Sequence, residues 1–513
     1  MNNQQNSEDG FLKMLSLLSL VGLSISIFLG KSYLNTLQAM DSSVYARLAL
    51  DATRNGFLPR LPIGHYMMGQ GHWPEGFNDH PFTLIWINGW IMRALGPSTW
   101  SARLLPALLS VLCIFVIYLI GKKLYRSHAV GVVAGFIGLA TPLFMSYGSR
   151  FHLDSAMLLG ILISFYGWIA SSQLATLAGT MFAVWVKGPL GFLLFPVVFI
   201  SGFLSRSWDQ ARIKKFVLLS IFALILGGSI WIVIGFLGGF DLVTDYWKRF
   251  VMGQVLNRAT VPTLPILSKI FLKWSLWSVL LGLAIFRYFK QKRYRDENFN
   301  LPLIAGFFIL TLVSSMKFKY EHYYLPMFSF FALFIAGSFQ GWIEKNATRL
   351  QRALLFLAIL TPPVLLATPI DIGVEKFPQL RAMIPYIKSQ GTCRDTLIFL
   401  EGSQPYGSIG DYAAVLQFYT NRHTIEARCD GLEEALTRTQ AAWLLGSDEL
   451  FKKCSTDATR NKYPSSIRFG SQVLWSRYPL TSHAQLDLTP LALPYTAISD
   501  CELPKLPKSR YFK

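Results

Sequence analysis

Eleven apolar stretches, most of them close to 20 residues long, dominate the 513-residue chain at about 11–30, 102–121, 129–148, 153–171, 173–186, 188–204, 216–238, 271–289, 300–316, 323–342 and 353–370. A helix needs roughly 20 apolar residues to cross the hydrocarbon of a bilayer. In lipid, helices are one of only two structures that satisfy their own backbone. The pattern therefore predicts an all-α polytopic membrane domain with about eleven transmembrane helices, and up to thirteen if boundary stretches are divided. Composition agrees: 52% of residues are hydrophobic and only 15% are charged.

The net charge of +19 is spent on orientation. With a cytoplasmic N-terminus, the inner connections read "GKKLYRSH", "ASSQ", "RSWDQARIKK", "FKQKRYRDEN" and "EKNATRLQR", and four of the five are strongly basic, as the positive-inside rule requires. No basic face with a nucleic-acid-reading motif accompanies them, which excludes nucleic acid as a partner. The segment 81–95 is short for a span and carries Trp86, Trp90 and Arg93. It reads as an interfacial helix in the first outer loop, with its indoles at headgroup depth.

Beyond about residue 372 the chain becomes soluble in character. Strand-like runs ("TLIFL", "HTIEAR", "AAWLLG", "SQVLWSRYPL") alternate with helix-like ones ("DYAAVLQF", "LEEALTRT", "SDELFKKC"), which predicts a C-terminal soluble α/β domain over 372–513 after a transmembrane domain over 1–371. An odd number of spans puts that domain outside, in the periplasm of a bacterial inner-membrane protein. Cys393, Cys429, Cys454 and Cys501 all fall there. Two disulfides of undetermined pairing, or free thiols, both fit.

This topology collects the notable polar residues at the outer face. They are Asp41, Asp79 and His80 in the first loop; Arg150, His152 and Asp154 after the third span; Lys187 after the fifth; Arg249, Asn257 and Arg258 after the seventh; and Lys317, Lys319, Glu321 and His322 after the ninth. Ionisable groups at membrane depth are costly unless paired or wetted, so their gathering indicates a polar cavity. Asp41, Asp79 and Asp154 suit deprotonation of an attacking hydroxyl, coordination of a divalent cation, or both. Lys187, Arg258 and His80 suit a departing phosphate. Plainer roles compete: Asp41 as a helix cap, Asp154 paired with Arg150, Lys187 as a headgroup anchor, Arg258 as a solvated charge, and His80 and His152 as interfacial hydrogen-bonding groups.

Several of these stretches resemble one family in order along the chain. "QAMDSSVYARLAL" resembles the first-loop acidic motif of the GT-C glycosyltransferases, in the branch of aminoarabinose transferases and dolichyl-phosphate-mannose protein mannosyltransferase-like enzymes. "NDHPFTLIWINGW", "WSARLLPALLSVL", "SRFHLDSAMLLG", "VKGPLGFLLFP" and "SSMKFKYEHYYLPMFSFFAL" are similar to later motifs of that branch, and "AAVLQFYTNRHT" to a pattern in its tail. The resemblance implies transfer of a sugar from a polyprenyl-phosphate donor to an acceptor on the outer face, with inversion. The acceptor would be a lipid A-like glycolipid, an envelope glycan or a protein. It implies Asp41 for catalysis or metal binding and Lys187 and Arg258 for the carrier phosphate, and Asp154 joins Asp41 as an expected catalytic residue on its charge and place at the outer face. Asp79, His80, Lys187, Arg258, Lys317 and Tyr320 would bind substrate, and a divalent cation of unspecified identity is the implied cofactor. The chain departs from the aminoarabinose transferases at Asp79-His80-Pro81, where they carry Glu-Lys-Pro, and at Gln254-Val255, where they carry Glu-His ahead of the loop arginine. A transporter or flippase of lipid-linked substrates would use the same cationic cavity without a base. A scaffold presenting its exported domain would need neither.

Overall fold

A computed structural model describes residues 2–30, 41–53, 80–253, 261–367, 378–389, 395, 397–400, 416, 424–427, 429–439, 441–469 and 472–480. The chain forms two compact units. One comprises Met1–Ser32, Asn78–Leu84 and Leu104–Ile372, and the other Tyr33–Phe77, Ile85–Arg103 and Gly373–Lys513.

The first unit is helical throughout. In chain order it contains α1 (Asn2–Gly30), the start of α3 (Thr83–Leu95), most of α4 (Thr99–Tyr125), α5 (His128–Leu139), α6 (Pro142–Tyr147), α7 (Asp154–Ile169), α8 (Gln173–Lys187), α9 (Leu194–Leu204) and α10 (Gln210–Gly238). α11 (Phe240–Asp245), α12 (Thr263–Lys273), α13 (Ser275–Lys290), α14 (Glu297–Ser315), α15 (Leu325–Ser338), α16 (Gln340–Lys345) and α17 (Ala347–Ala367) complete it. Among the described residues, helix occupies the greater part of each of the eleven apolar stretches. Among the described residues four helices are long and apolar enough to cross a membrane, or five if α12 and α13, bent by 98° at Trp274, count as one.

Four predicted stretches are broken rather than continuous, and local chemistry explains two of the breaks. Residues 129–148 divide into α5 and α6 because Pro142 opens α6 and holds Thr141 extended at φ −72°, ψ 117°, as a residue before proline prefers. Residues 188–204 begin with a 3-10 turn, Pro189–Leu193, before α9. The third break is the sharp bend at Trp274, for which no proline or glycine is responsible, and the fourth is at Phe339, between α15 and α16.

α15 is buried along its whole length, and a helix that is apolar all round belongs at the centre of its unit. α10 is the opposite case. It exposes Ile221, Phe222, Leu224, Ile225 and Phe236, a face suited to hydrocarbon rather than water. The chain is an integral membrane protein.

α7 and α8 form an antiparallel hairpin whose turn is set by Ser171 in the left-handed region (φ 60°). Small residues let the two backbones nearly touch. A Cβ on Gly179 would lie 2.4 Å from the Ser164 nitrogen, and one on Gly160 would lie 2.7 Å from the Gly179 oxygen. This is the close approach that glycine permits between helices in a membrane. Its consequence is register: the first residue of α7, Asp154, meets the last of α8, Lys187.

The second unit contains α2 (Asp41–Ala52) and the greater part of α3. α3 crosses α2 at Gly89, where a Cβ would lie 2.3 Å from the Ala49 oxygen. On α3, Trp86 and Trp90 meet edge to face with centroids 6.4 Å apart. Farther along lie α18 (Pro378–Ser389) and a five-stranded sheet of order β2-β1-β3-β5-β4. Its strands are β1 (Leu397–Leu400), β2 (Thr424–Ala427), β3 (Trp443–Gly446), β4 (Ser465–Phe469) and β5 (Gln472–Ser476). β1 runs parallel to both β2 and β3, whereas β5 is antiparallel to β3 and β4. Helices α19 (Leu432–Thr439), α20 (Asp448–Cys454) and α21 (Asp457–Lys462) accompany the sheet. Ile398, Leu400, Leu436, Leu444, Phe451 and Trp475 form its core. A disulfide joins Cys429 to Cys454; Cys393 and Cys501 lie outside the described residues. β4 and α21 were not anticipated, because "SSIRF" alternates polar and apolar residues over only five positions and "DATRNK" has no apolar face.

Gly179→Leu is expected to force α7 from α8 at a cost on the order of 3 kcal/mol. Gly22→Ala, where nothing lies within 4 Å of the added Cβ, should be neutral or slightly stabilising. Thermal unfolding of the two variants in detergent reads the difference directly.

Candidate functional site

Asp154 opens α7 and Lys187 closes α8, so each charge sits at the helix end whose macrodipole favours it. The Lys187 Nζ donates to Asp154 Oδ1 at 2.5 Å, with the carboxylate side chain only 2% exposed. Gly188 ends α8 at φ 85°, a conformation that costs glycine nothing. A Cβ there would lie 2.2 Å from the Tyr246 hydroxyl oxygen. The Lys-Gly-Pro order is thereby explained: the lysine occupies the last turn, the glycine reverses the backbone, and Pro189 begins the next turn with its φ already set.

Two imidazoles flank the carboxylate. His152 Nδ1 and His322 Nε2 each lie 3.9 Å from Asp154 Oδ2, and the two rings are 5.3 Å apart. Both side chains are buried. Burial, and secondarily the neighbouring His322, hold the His152 pKa well below the ordinary imidazole value, so it is neutral at physiological pH. Aromatic rings enclose this group. Tyr147 lies 5.2 Å from the His152 ring and 5.1 Å from that of His322. Tyr320 stacks on His322 at 5.4 Å, and Tyr323 lies beneath the Lys187 ammonium at 4.9 Å.

The turn between α14 and α15 is fixed by a second buried cation. Lys319 Nζ donates to the carbonyls of Ser314 at 2.8 Å and Met316 at 2.6 Å, at the negative end of α14. Desolvation lowers its pKa. Glu321, next to His322, is held by Lys269 and Lys273 from α12.

Of the residues singled out in the sequence, His152, Asp154, Lys187, Tyr320 and His322 come together here. Lys317 is exposed near them in the chain, and its carbonyl accepts from Val261 N at 2.8 Å. His80 is buried just ahead of α3, and Asp41 begins α2 in the second unit. Asp79 and Arg258 lie outside the described residues, as do Asn257 and Gln254-Val255. Pairing of Asp154 with Arg150 is not the arrangement found: Arg150 donates to Ser146 Oγ at 3.1 Å and covers the Tyr147 ring, while the carboxylate takes Lys187. Tyr147, Tyr323 and Tyr246 were missed. The aromatic density of "KYEHYY" was the signal for the second of them; Tyr147 and Tyr246 carried none.

Breaking a largely buried ion pair strands the remaining charge. Asp154→Asn is expected to cost about 3 kcal/mol. The double variant Asp154→Leu/Lys187→Met should recover part of that, because no charge is left unpaired. Strictly additive losses in detergent melts would refute the coupling.

Residues 79–231 match the family model for dolichyl-phosphate-mannose-protein mannosyltransferase, a stretch containing Asp79, His80, Asp154 and Lys187. No curated protein matches the chain. Among solved structures, ArnT from Cupriavidus metallidurans bound to undecaprenyl phosphate is similar with a TM-score of 0.66 and 13% identity, over 91% of this chain and 98% of that one. The archaeal oligosaccharyltransferase AglB from Archaeoglobus fulgidus, in complex with an inhibitory peptide and a dolichol-phosphate, gives 0.55 and 11%, over 92% and 74%. The Archaeoglobus fulgidus oligosaccharyltransferase in complex with Zn and sulfate gives 0.51 and 13%, over 85% and 68%. In sequence over residues 79–231 and in fold over most of its length, the chain thus resembles the GT-C glycosyltransferases.

Proposed function

We propose that the protein is a glycosyltransferase of GT-C type that moves a sugar from a polyprenyl-phosphate donor to an acceptor at the outer face of a bacterial inner membrane. The observation that carries this reading is the pair of buried Asp154 with partly buried Lys187 inside the stretch matched by the mannosyltransferase model. Lys187 presents a cation beside the carboxylate, the arrangement a departing lipid phosphate needs. The undecaprenyl phosphate bound by ArnT and the dolichol-phosphate bound by AglB support a lipid-phosphate donor. Arg258, Lys317, Tyr320, Asp79 and His80 are assigned to substrate binding on the motif resemblance, and Asp41 to activation of the acceptor, whose oxygen or nitrogen attacks the anomeric carbon with inversion.

A divalent cation fits the donor chemistry. His152 and His322 each present an imidazole nitrogen 3.9 Å from Asp154 Oδ2, both belong to a group of potential metal ligands, and imidazole nitrogen is an ordinary ligand of such an ion. Neutral His152 is in the form that binds metal. Such an ion would polarise a phosphate oxygen or lower the pKa of an acceptor hydroxyl. Lys187, holding Oδ1, leaves Oδ2 available. We place the periplasmic α/β domain at 372–513, with the N-terminus cytoplasmic.

The deciding experiment is a mass comparison of envelope lipids, glycans and proteins from cells carrying the intact chain, none, or Asp41→Asn. A sugar-sized difference lost in both defective strains is expected and would name the acceptor class. A difference lost only on deletion would move a transporter or flippase ahead. In membranes, Lys187→Met is expected to lower transfer by about 100-fold or more, and chelation followed by metal readdition should abolish and restore it.

A further inference from the structure

The far end of the α7–α8 hairpin, roughly 24 Å from Asp154 at 1.5 Å per residue over α7, carries a second polar site. A cavity of about 440 Å³ opens there, lined by Trp168, Ser171, Asp209, Arg212, Lys215 and Glu297, with Leu124 and Leu301 as an apolar wall. Its parts are held by specific contacts. The Arg212 guanidinium forks onto both carboxylate oxygens of Glu297 and lies over the Trp168 and Trp208 rings at 5.5 and 5.6 Å. Asp209, an exposed residue, caps α10 by accepting from Arg212 N through Oδ1 at 2.7 Å, and among the described residues its second oxygen takes no other hydrogen bond. Lys215 Nζ sits over the Trp168 ring at 5.3 Å, and among the described residues no carboxylate pairs with it.

The lining charges balance: Arg212 and Lys215 oppose Asp209 and Glu297. A polyanion would meet as much repulsion as attraction in such a site, whereas a zwitterion can place its phosphate at Lys215 and its ammonium at Asp209. The site also leads into hydrocarbon. Leu218, Phe222 and Ile225 follow Lys215 on α10 at i+3, i+7 and i+10, all exposed, and so form one apolar stripe running from the cavity along the same face of the helix. Indoles beside the charges are the side chains that favour a membrane interface.

We infer that this cavity binds the headgroup of a zwitterionic glycerophospholipid with a primary ammonium, in the leaflet opposite the proposed reaction, with an acyl chain along the α10 stripe. Lys215 takes the phosphate, Asp209 the ammonium, and the Arg212–Glu297 pair fixes the wall between them.

Native mass spectrometry of the full chain in detergent, titrated with dioleoyl-phosphatidylethanolamine or dioleoyl-phosphatidylglycerol, tests the assignment. The intact protein is expected to retain one phosphatidylethanolamine and to prefer it about fivefold or more over phosphatidylglycerol. Lys215→Gln should weaken that binding by about tenfold. Asp209→Asn keeps an equally good helix cap, so it should fold normally and lose the preference. Equal binding of the two lipids by the intact chain, or unchanged preference in both variants, would overturn the proposal. Glycerophosphoethanolamine competing as well as the lipid would also overturn it, by showing a soluble ligand.

Discussion

Everything at the candidate site depends on a buried carboxylate and a partly buried ammonium meeting at the open end of one helical hairpin. Asp154 and Lys187 are 33 residues apart, and nothing in their own chemistry brings them together. The backbones of α7 and α8 do so, because Gly160 and Gly179 allow an approach that any Cβ would prevent. The turn at Ser171 and the reversal at Gly188 (φ 60° and 85°) then fix where each helix stops. A one-residue slip would carry Lys187 around the helix by about 100° and leave a buried and a partly buried charge unpaired, a cost of several kcal/mol that makes the register self-correcting.

The pair is also the reason the surrounding rings can be so densely packed. With the carboxylate charge met at Oδ1, neutral His152 can be buried against Oδ2 without a second full charge, and the tyrosines add polarisable faces rather than further ions. His322 arrives from a different direction, on the turn that Lys319 ties to the end of α14, immediately before the fully buried α15. The site is thus anchored to the fully buried α15 on one side and to the glycine-packed hairpin on the other. Preorganisation of this kind is what electrostatic catalysis requires, since groups already oriented need not rearrange as charge develops.

How much of this was legible in the chain follows from the range of each cue. Apolar runs of bilayer length are local, and among the described residues helix occupies the greater part of all eleven. The break at Pro142 is local as well, and it shows that a composition count sees through a proline that the backbone cannot. Within the C-terminal sheet the strands at 397–400, 424–427, 443–446 and 472–476 follow continuous apolar or β-branched runs, whereas the edge strand at 465–469, half-exposed in alternation, gave too little signal. Asp154 and Lys187 were identifiable as costly intramembrane charges, but not as partners of each other. The nearest cation in sequence, Arg150, was the natural guess, and it turns instead to Ser146 and Tyr147 because the helix start at Asp154 directs the carboxylate toward α8. Tyr246, which packs under Gly188, illustrates the limit: its role exists only once two distant segments have folded together.

The two ends of the hairpin treat charge in opposite ways, and the bilayer explains why. At Asp154 the ions are few, largely buried and matched one to one, surrounded by rings. Near Trp168 they are more numerous and partly exposed, with Arg212 shared between a carboxylate and two indoles, next to the basic connections that the positive-inside rule places on the cytoplasmic side. Substitution in a solvated basic rim costs little folding stability because each exposed pair contributes little, so its charges are free to serve orientation and lipid binding. The dry end has no such tolerance, since every unmatched charge there carries its full desolvation cost. Strict geometry at one end and permissive charge at the other is what a single short hairpin needs if it is to be inserted in one direction and still hold a reacting site in place.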